Sequence, residues 1–195
     1  DLQWWASYAI ILRRIVHRLL ALRGESIGAN AQDKTRRGLI PGLPEADYND
    51  EEDQWHRCYF AGDVWVCRGL REMGRTLSAD EVTAKEAAAR LAEARAYEGD
   101  ILRAIAACDD GPEALIPAGP DEPRSFARMT ESRHASYCNY RYLPEMLSAG
   151  ILDDQTVRRI VDYRRAHGGE VLGMTRFGDH LDDWPELHLA MGLLQ

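Results

Sequence analysis

The chain has 195 residues, 45% of them apolar, with a formal charge of −8 at pH 7. That length fits one domain with enough apolar content to bury a core. The negative balance excludes the basic stripe of a nucleic-acid scaffold. The apolar first 23 residues carry Arg13, Arg14 and Arg18 in their middle, which excludes both a signal peptide and a membrane span.

Periodicity predicts six helices and an all-α fold. The first, 2–23, places Trp4, Tyr8, Ile11, Ile15, Leu19 and Leu22 on one stripe, with the arginines mostly opposite. The second, 52–74, is apolar nearly all round, from Trp55 through Tyr59, Phe60, Val64 and Trp65 to Met73. A helix of that kind is buried, whereas a striped one lies outside, so helix 2 is expected inside and helices 1, 3 and 5 outside. The third helix is 79–108, the fourth 137–149, the fifth 153–167, and the sixth runs from 184 to the end. Capping boxes at Ser78–Glu81 and Asp183–Glu186 open helices 3 and 6, and Asn49–Glu52 is a third candidate. Gly24, Gly111, Gly150 and Gly168 follow the expected helix ends. No hairpin or strand pattern is read. Pro144 would remove a helix-interior hydrogen bond, so helix 4 starts late or kinks there.

The connections alternate in length. Those at 24–50, 109–136 and 168–182 are long, while 75–78 and 149–153 are short. In stacked antiparallel hairpins alternate loops emerge at the same end, so the three long loops are expected on one rim. Long loops in compact domains are usually functional. A weak repeat supports a hairpin array: Leu39-Ile-Pro-Gly-Leu-Pro-Glu45 matches Leu115-Ile-Pro-Ala-Gly-Pro-Asp121. The division is one domain or partial domain over 1–195.

Two further features need explanation. Asp63 on an apolar helix would be costly without a partner, so it is expected to pair with Arg68 or another arginine, or to face a cavity. Cys58, Cys67, Cys108 and Cys138 show no CxxC and no zinc spacing, and read as scattered buried thiols.

GLIPGLPEAD (38–47) followed by YFAGDVWVCRGLREMGRTL (59–77) resembles the (α/α)6-toroid glycoside hydrolases and their relatives. In that group a loop of the form GLLPPG…D precedes an inner, aromatic-rich helix that ends in GL and a small residue. YCNYRYLPEMLSAGIL (137–152) and HGGEVLGMTRFGDHLDDWPELHLAMGLL (167–194) fit the same rhythm. The resemblance spans roughly 24–195 and implies alternating inner and outer helices around a central mouth. A whole toroid has twelve helices, so it also implies that the rest lies elsewhere on the parent protein or on another chain.

The function so implied is hydrolysis of an oligosaccharide or glycoside. That chemistry uses two carboxylates across the scissile bond. Asp47 and Asp182 are the first choice, with Glu45 and Glu170 in reserve. Tyr140, Arg141, Arg176, His180 and Trp184 would line the sugar site. Plainer roles compete: a loop acid at a helix start for Asp47, core packing for Tyr140 and Trp184. Asp182-Asp183-Trp-Pro-Glu186 also fits the DDxxE magnesium–diphosphate pattern of isoprenoid synthases, although no second metal motif accompanies it. Sugar epimerisation, or a non-catalytic helical scaffold or sugar-binding module, would fit the same helical pattern. No P-loop, GxGxxG or GxSxG is present, and His180-x-Asp182 alone is weak as a zinc motif, so neither cofactor nor metal is expected.

Overall fold

The computed structural model describes residues 2–42 and 55–194, and side chains from residue 7 onward. Glu45, Asp47 and the Asn49–Glu52 box lie outside the described residues. Helix dominates the rest. The elements are α1 (Leu2–Ala29), α2 (Phe60–Leu77), α3 (Ala84–Cys108), α4 (Arg133–Tyr137), α5 (Leu143–Ser148), α6 (Asp154–Ala166), β1 (Glu170–Val171), β2 (Met174–Phe177), β3 (His180–Asp182) and α7 (Glu186–Leu193).

Several expected boundaries move, each for a local reason. α1 runs through Gly24 to Ala29, because Arg23 is anchored beside it by Asp100, 2.5 Å away on α3. α2 begins at Phe60, since Tyr59 is extended and the Phe60 amide donates to the Ala118 carbonyl at 2.8 Å. Ser78 does not cap helix 3. Its hydroxyl turns back to the Gly74 carbonyl, and Asp80 accepts from the Val82 amide to open a short 3₁₀ turn ahead of α3. Asp153 does cap α6, accepting from Thr156 at 2.8 Å.

α4 and α5 form one rod joined by a π-helical turn, Cys138–Tyr142. Pro144 explains it. Proline has no N–H for the carbonyl four residues back, and its ring crowds that carbonyl. The chain inserts a wider turn instead, with the Leu143 amide donating to the Cys138 carbonyl. Such turns concentrate at functional sites.

The small antiparallel sheet β1-β2-β3 corrects the expectation of no strands. Leu172 and Gly173, both at positive φ (53° and 79°), make a two-residue turn between Val171 and Met174. Gly178 (φ 56°) opens a second two-residue turn between Phe177 and His180. These are hairpin-type turns.

α2 packs on α3 and α5, α5 on α7, and α6 on α7. All of α5 is buried. One face of α2 is buried, from Phe60 to Leu77, while Trp65, Val66, Gly69 and Met73 form one wall of an apolar groove of about 490 Å³ shared with α1. The long connections meet at one end. Arg36 ion-pairs with Asp121, and the Met129 amide donates to the His167 carbonyl at 2.9 Å. The short α5–α6 turn lies toward the other end of α2, where Arg71 donates to the Gly150 carbonyl at 3.1 Å.

α1 sits differently from its expected placement. Its arginine side docks on α3 through Arg13–Glu86 (2.7 Å) and Arg23–Asp100, while Tyr8, Ile10, Ile11 and Ile15 remain exposed. Asp63 does not pair with Arg68, which donates instead to the Ser148 carbonyl. The Asp63 carboxylate accepts from the Tyr97 hydroxyl and from the Ile40 amide at 2.8 Å. All four cysteines are buried and free.

Candidate functional site

The π-turn carries Tyr140 and Arg141 to one place because it shifts the helical phase by about one residue. Tyr140 meets Trp184 (ring centroids 5.6 Å apart) and Phe177 of β2 (5.1 Å). The Arg141 guanidinium lies 4.4 Å over the Trp184 ring, and its Nε is 2.7 Å from Glu145 of α5. His188 of α7 completes the far side, 5.0 Å from Trp184 and 6.5 Å from Trp65. Its Nδ1 lies 2.8 Å from the Ser148 hydroxyl. Burial, then the neighbouring Arg141 charge, push the His188 pKa down, which favours the neutral ring.

The result is an aromatic platform with a charged border. Trp184 and Trp65 are 41% and 37% exposed, so each keeps part of its indole free of the core. Arg141, Glu145 and His188 supply hydrogen-bonding groups beside it. Flat indole and phenol faces flanked by Arg and Glu suit a ligand with both C–H faces and hydroxyls.

Of the expected sugar-site residues, Tyr140, Arg141 and Trp184 converge. Arg176 and His180 do not join them. Strand alternation points Arg176 away from the face that carries Thr175 and Phe177, and its guanidinium reaches the Gly168 carbonyl at 3.5 Å. His180 is an exposed first residue of β3.

The expected carboxylates that are described have structural work. Asp182 accepts from the Trp184 amide at 2.9 Å, and Glu170 pairs with Arg165 at 3.1 Å. Both lie opposite Thr175, one strand to either side, so Thr175 stands between them in place of a gap. Glu186 makes no capping box with Asp183. Its carboxylate accepts from the Thr175 amide and hydroxyl, each at 2.7 Å. That also separates the acids of the DDxxE string into different jobs.

A buried polar lattice fixes the platform to the sheet. Asn139, the π-turn residue beside Tyr140, donates to the Gly169 carbonyl (2.8 Å) and the Arg176 carbonyl (2.7 Å). It accepts from Arg164 Nε at 2.9 Å, and Arg164 reaches the Thr175 hydroxyl at 2.9 Å. Burial lowers the Arg164 pKa to about 10. Gly169 is required here, since a Cβ would stand 2.3 Å from the Asn139 side-chain oxygen.

No family model, curated protein or solved structure matches the chain.

Glu145, His188, Phe177 and Trp65 join this site without having been expected there. Glu145 carries a sequence signal, since it stands four residues after Arg141, the spacing of a helical ion pair. His188 and Phe177 come from elements whose placement depends on the sheet. Among the described residues, Glu122, His134 and Cys138 also form a group with metal-ligand chemistry, which the sequence reading did not single out. His134 and Cys138 carry the signal, an i,i+4 pair on one helix. Glu122 lies twelve residues upstream in a loop, where no spacing rule reaches it.

Proposed function

We propose that this chain is a carbohydrate-active domain of the (α/α)-toroid type that binds an oligosaccharide or glycoside on the Trp184–Tyr140 platform. The observation that carries the proposal is the convergence of Tyr140, Arg141 and Trp184 with Glu145 and His188 at the π-turn. Stacking on indole and phenol faces, with bidentate-capable Arg and Glu beside them, is how a protein holds a polyhydroxylated ring. The toroid arrangement is supported by the alternation of long and short connections. It is also supported by apolar surface at both terminal helices: Ile10, Ile11 and Ile15 on α1, and Leu187 and Leu193 on α7. Such faces suit neighbours supplied by the rest of the parent protein or by another chain.

The proposed reaction is glycosidic hydrolysis, with Asp47 as the first carboxylate. A screen of oligosaccharides for binding and cleavage tests it, run on the chain and on Asp47→Asn. Cleavage that Asp47→Asn abolishes without moving the melting temperature supports hydrolysis. Cleavage that survives the substitution contradicts the role of Asp47.

A second proposal, a sugar-binding module without hydrolysis, is favoured by one specific observation. Asp182 and Glu170 are each taken up by structural partners and have Thr175 between them. In that case the screen returns binding without cleavage.

A further inference from the structure

Outside the aromatic platform, the loop after α3 returns to the start of α4. Gly119 makes this possible, because a Cβ there would meet the Cys58 carbonyl oxygen at 2.1 Å. The close approach sets Glu122 under α4, with its carboxylate fully buried. Ser132 opens α4 by accepting from the Ala135 amide at 3.0 Å. His134 and Cys138 then point from successive helical turns toward the same carboxylate. His134 Nε2 is 2.6 Å from Glu122 Oε2, Cys138 Sγ is 3.9 Å from that oxygen, and the sulfur is 3.7 Å from the imidazole nitrogen.

We propose that Glu122, His134 and Cys138 form a site for a zinc-class divalent cation, with oxygen, nitrogen and sulfur each supplying one ligand. A tetrahedral zinc has bonds of roughly 2.0 Å to N or O and 2.3 Å to S, hence ligand–ligand edges of roughly 3.3–3.5 Å. The two sulfur edges already lie within roughly 0.4 Å of this. The third opens by roughly 0.7 Å as the ion replaces the Glu122–His134 hydrogen bond. A thiolate–imidazole–carboxylate set selects zinc over magnesium or calcium, which prefer oxygen alone.

A second observation points to a missing ligand. Glu122 Oε1 is buried without a hydrogen bond of good geometry among the described residues; Arg57 stands 3.7 Å from it, and the Tyr59 hydroxyl also faces Glu122. A buried carboxylate so supported is costly, and a bound cation would offset that cost. A cysteine nucleophile fits the site less well. Cys138 is 2% exposed, and burial followed by the Glu122 charge holds its proton firmly. A nucleophile needs thiolate and access. On binding zinc, Cys138 would give its proton to solvent and coordinate as thiolate, His134 would coordinate through Nε2 with its ring proton carried on Nδ1 instead of toward Glu122, and Glu122 would coordinate as carboxylate. Three protein ligands leave a fourth position of a tetrahedral ion for water or another donor.

The test is titration of chelator-treated, reduced protein with zinc chloride and, separately, cobalt chloride. One equivalent of zinc should bind, and the cobalt form should show thiolate-to-cobalt charge-transfer absorption. Cys138→Ser should abolish that band. His134→Gln, whose side chain is partly exposed and which should therefore fold, should weaken zinc binding about 100-fold or more. Circular dichroism checks that both variants are folded. No stoichiometric uptake by the parent protein, a cobalt complex without the charge-transfer band, or unchanged affinity in folded His134→Gln would each overturn the proposal.

Discussion

Asp63 shows how a single buried acid ties the fold to pH. Burial raises its pKa from 3.8 to about 7, against the hydrogen bonds from Tyr97 and Ile40. Between those two values the folded chain keeps a proton that the unfolded chain has lost. Stability therefore falls as pH rises from about 4 to about 7, and this contribution is flat above. A shift of this size corresponds to at most about 4 kcal/mol. Asp63→Asn stays neutral while keeping the oxygen that accepts both bonds. It should be more stable than the parent at pH 8 by about 2–4 kcal/mol, and near parity or below it at pH 4. His188, lowered by burial, acts with the opposite sign but is common to both proteins, so their difference isolates Asp63. Asp33 and Asp109, both lowered to about 2, lose their contribution only at lower pH. Urea unfolding at pH 4 and pH 8 measures the difference, and a gap that does not change with pH would contradict the assignment. That Asp63 needs a partner is legible in the sequence, since an acid on an apolar helix cannot stand alone. Which partner is not. Tyr97 lies 34 positions away on α3, and only the α2–α3 packing brings it there.

At the scale of elements, long periodic helices are legible and short ones are not. α6 falls within a residue of its expected span at each end, where its apolar face and the Asp153 cap agree, and α3 ends at Cys108 as expected but begins at Ala84, because the expected Ser78 cap is replaced by the Asp80 turn. The strands of the sheet are two to four residues long, below the length at which alternation can be read, and Leu172 occupies a positive-φ position without the usual Asn or Gly. Without the sheet, Arg176 and His180 look like site residues; strand alternation turns Arg176 to the opposite face from Phe177, while His180 pairs with Phe177 at the exposed start of β3. Pro144 signals an irregular helix correctly, but not that a π-turn would follow and bring Tyr140 and Arg141 beside Trp184. Asn139 holds that turn to the sheet through three hydrogen bonds, two of them buried. Asn139→Ala leaves two carbonyls and the buried Arg164 short of partners and should cost about 3 kcal/mol. Chemical denaturation measures this, and a loss under about 1 kcal/mol would show that the lattice is dispensable.

At the scale of the molecule, the helical class is legible from periodicity, and the contacts between long connections, such as Arg36 with Asp121, fit the reading of loop lengths, while the seating of α1 is not legible. Its apolar stripe is expected against the core, yet the ion pairs to Glu86, Glu93 and Asp100 turn part of that stripe outward. These charged contacts with α3 outweigh the pattern because Arg23 and Asp100 are buried together. No helix among the described residues is long and apolar enough to cross a membrane. In the toroid proposal the exposed isoleucines are surface for another protein segment. The chain on its own should therefore self-associate with rising concentration, and Ile11→Glu with Ile15→Glu should reduce that association. Sedimentation velocity reads it, and a monomer at all concentrations would contradict an uncovered toroid edge. The central claim is carbohydrate recognition at the π-turn. It is tested most directly by calorimetric titration of the parent chain and of Trp184→Ala with an oligosaccharide series. Saturable binding of at least one oligosaccharide, weakened about tenfold or more in folded Trp184→Ala, is the expected result. Binding that is absent across the series, or that is equal in the two proteins, would contradict it.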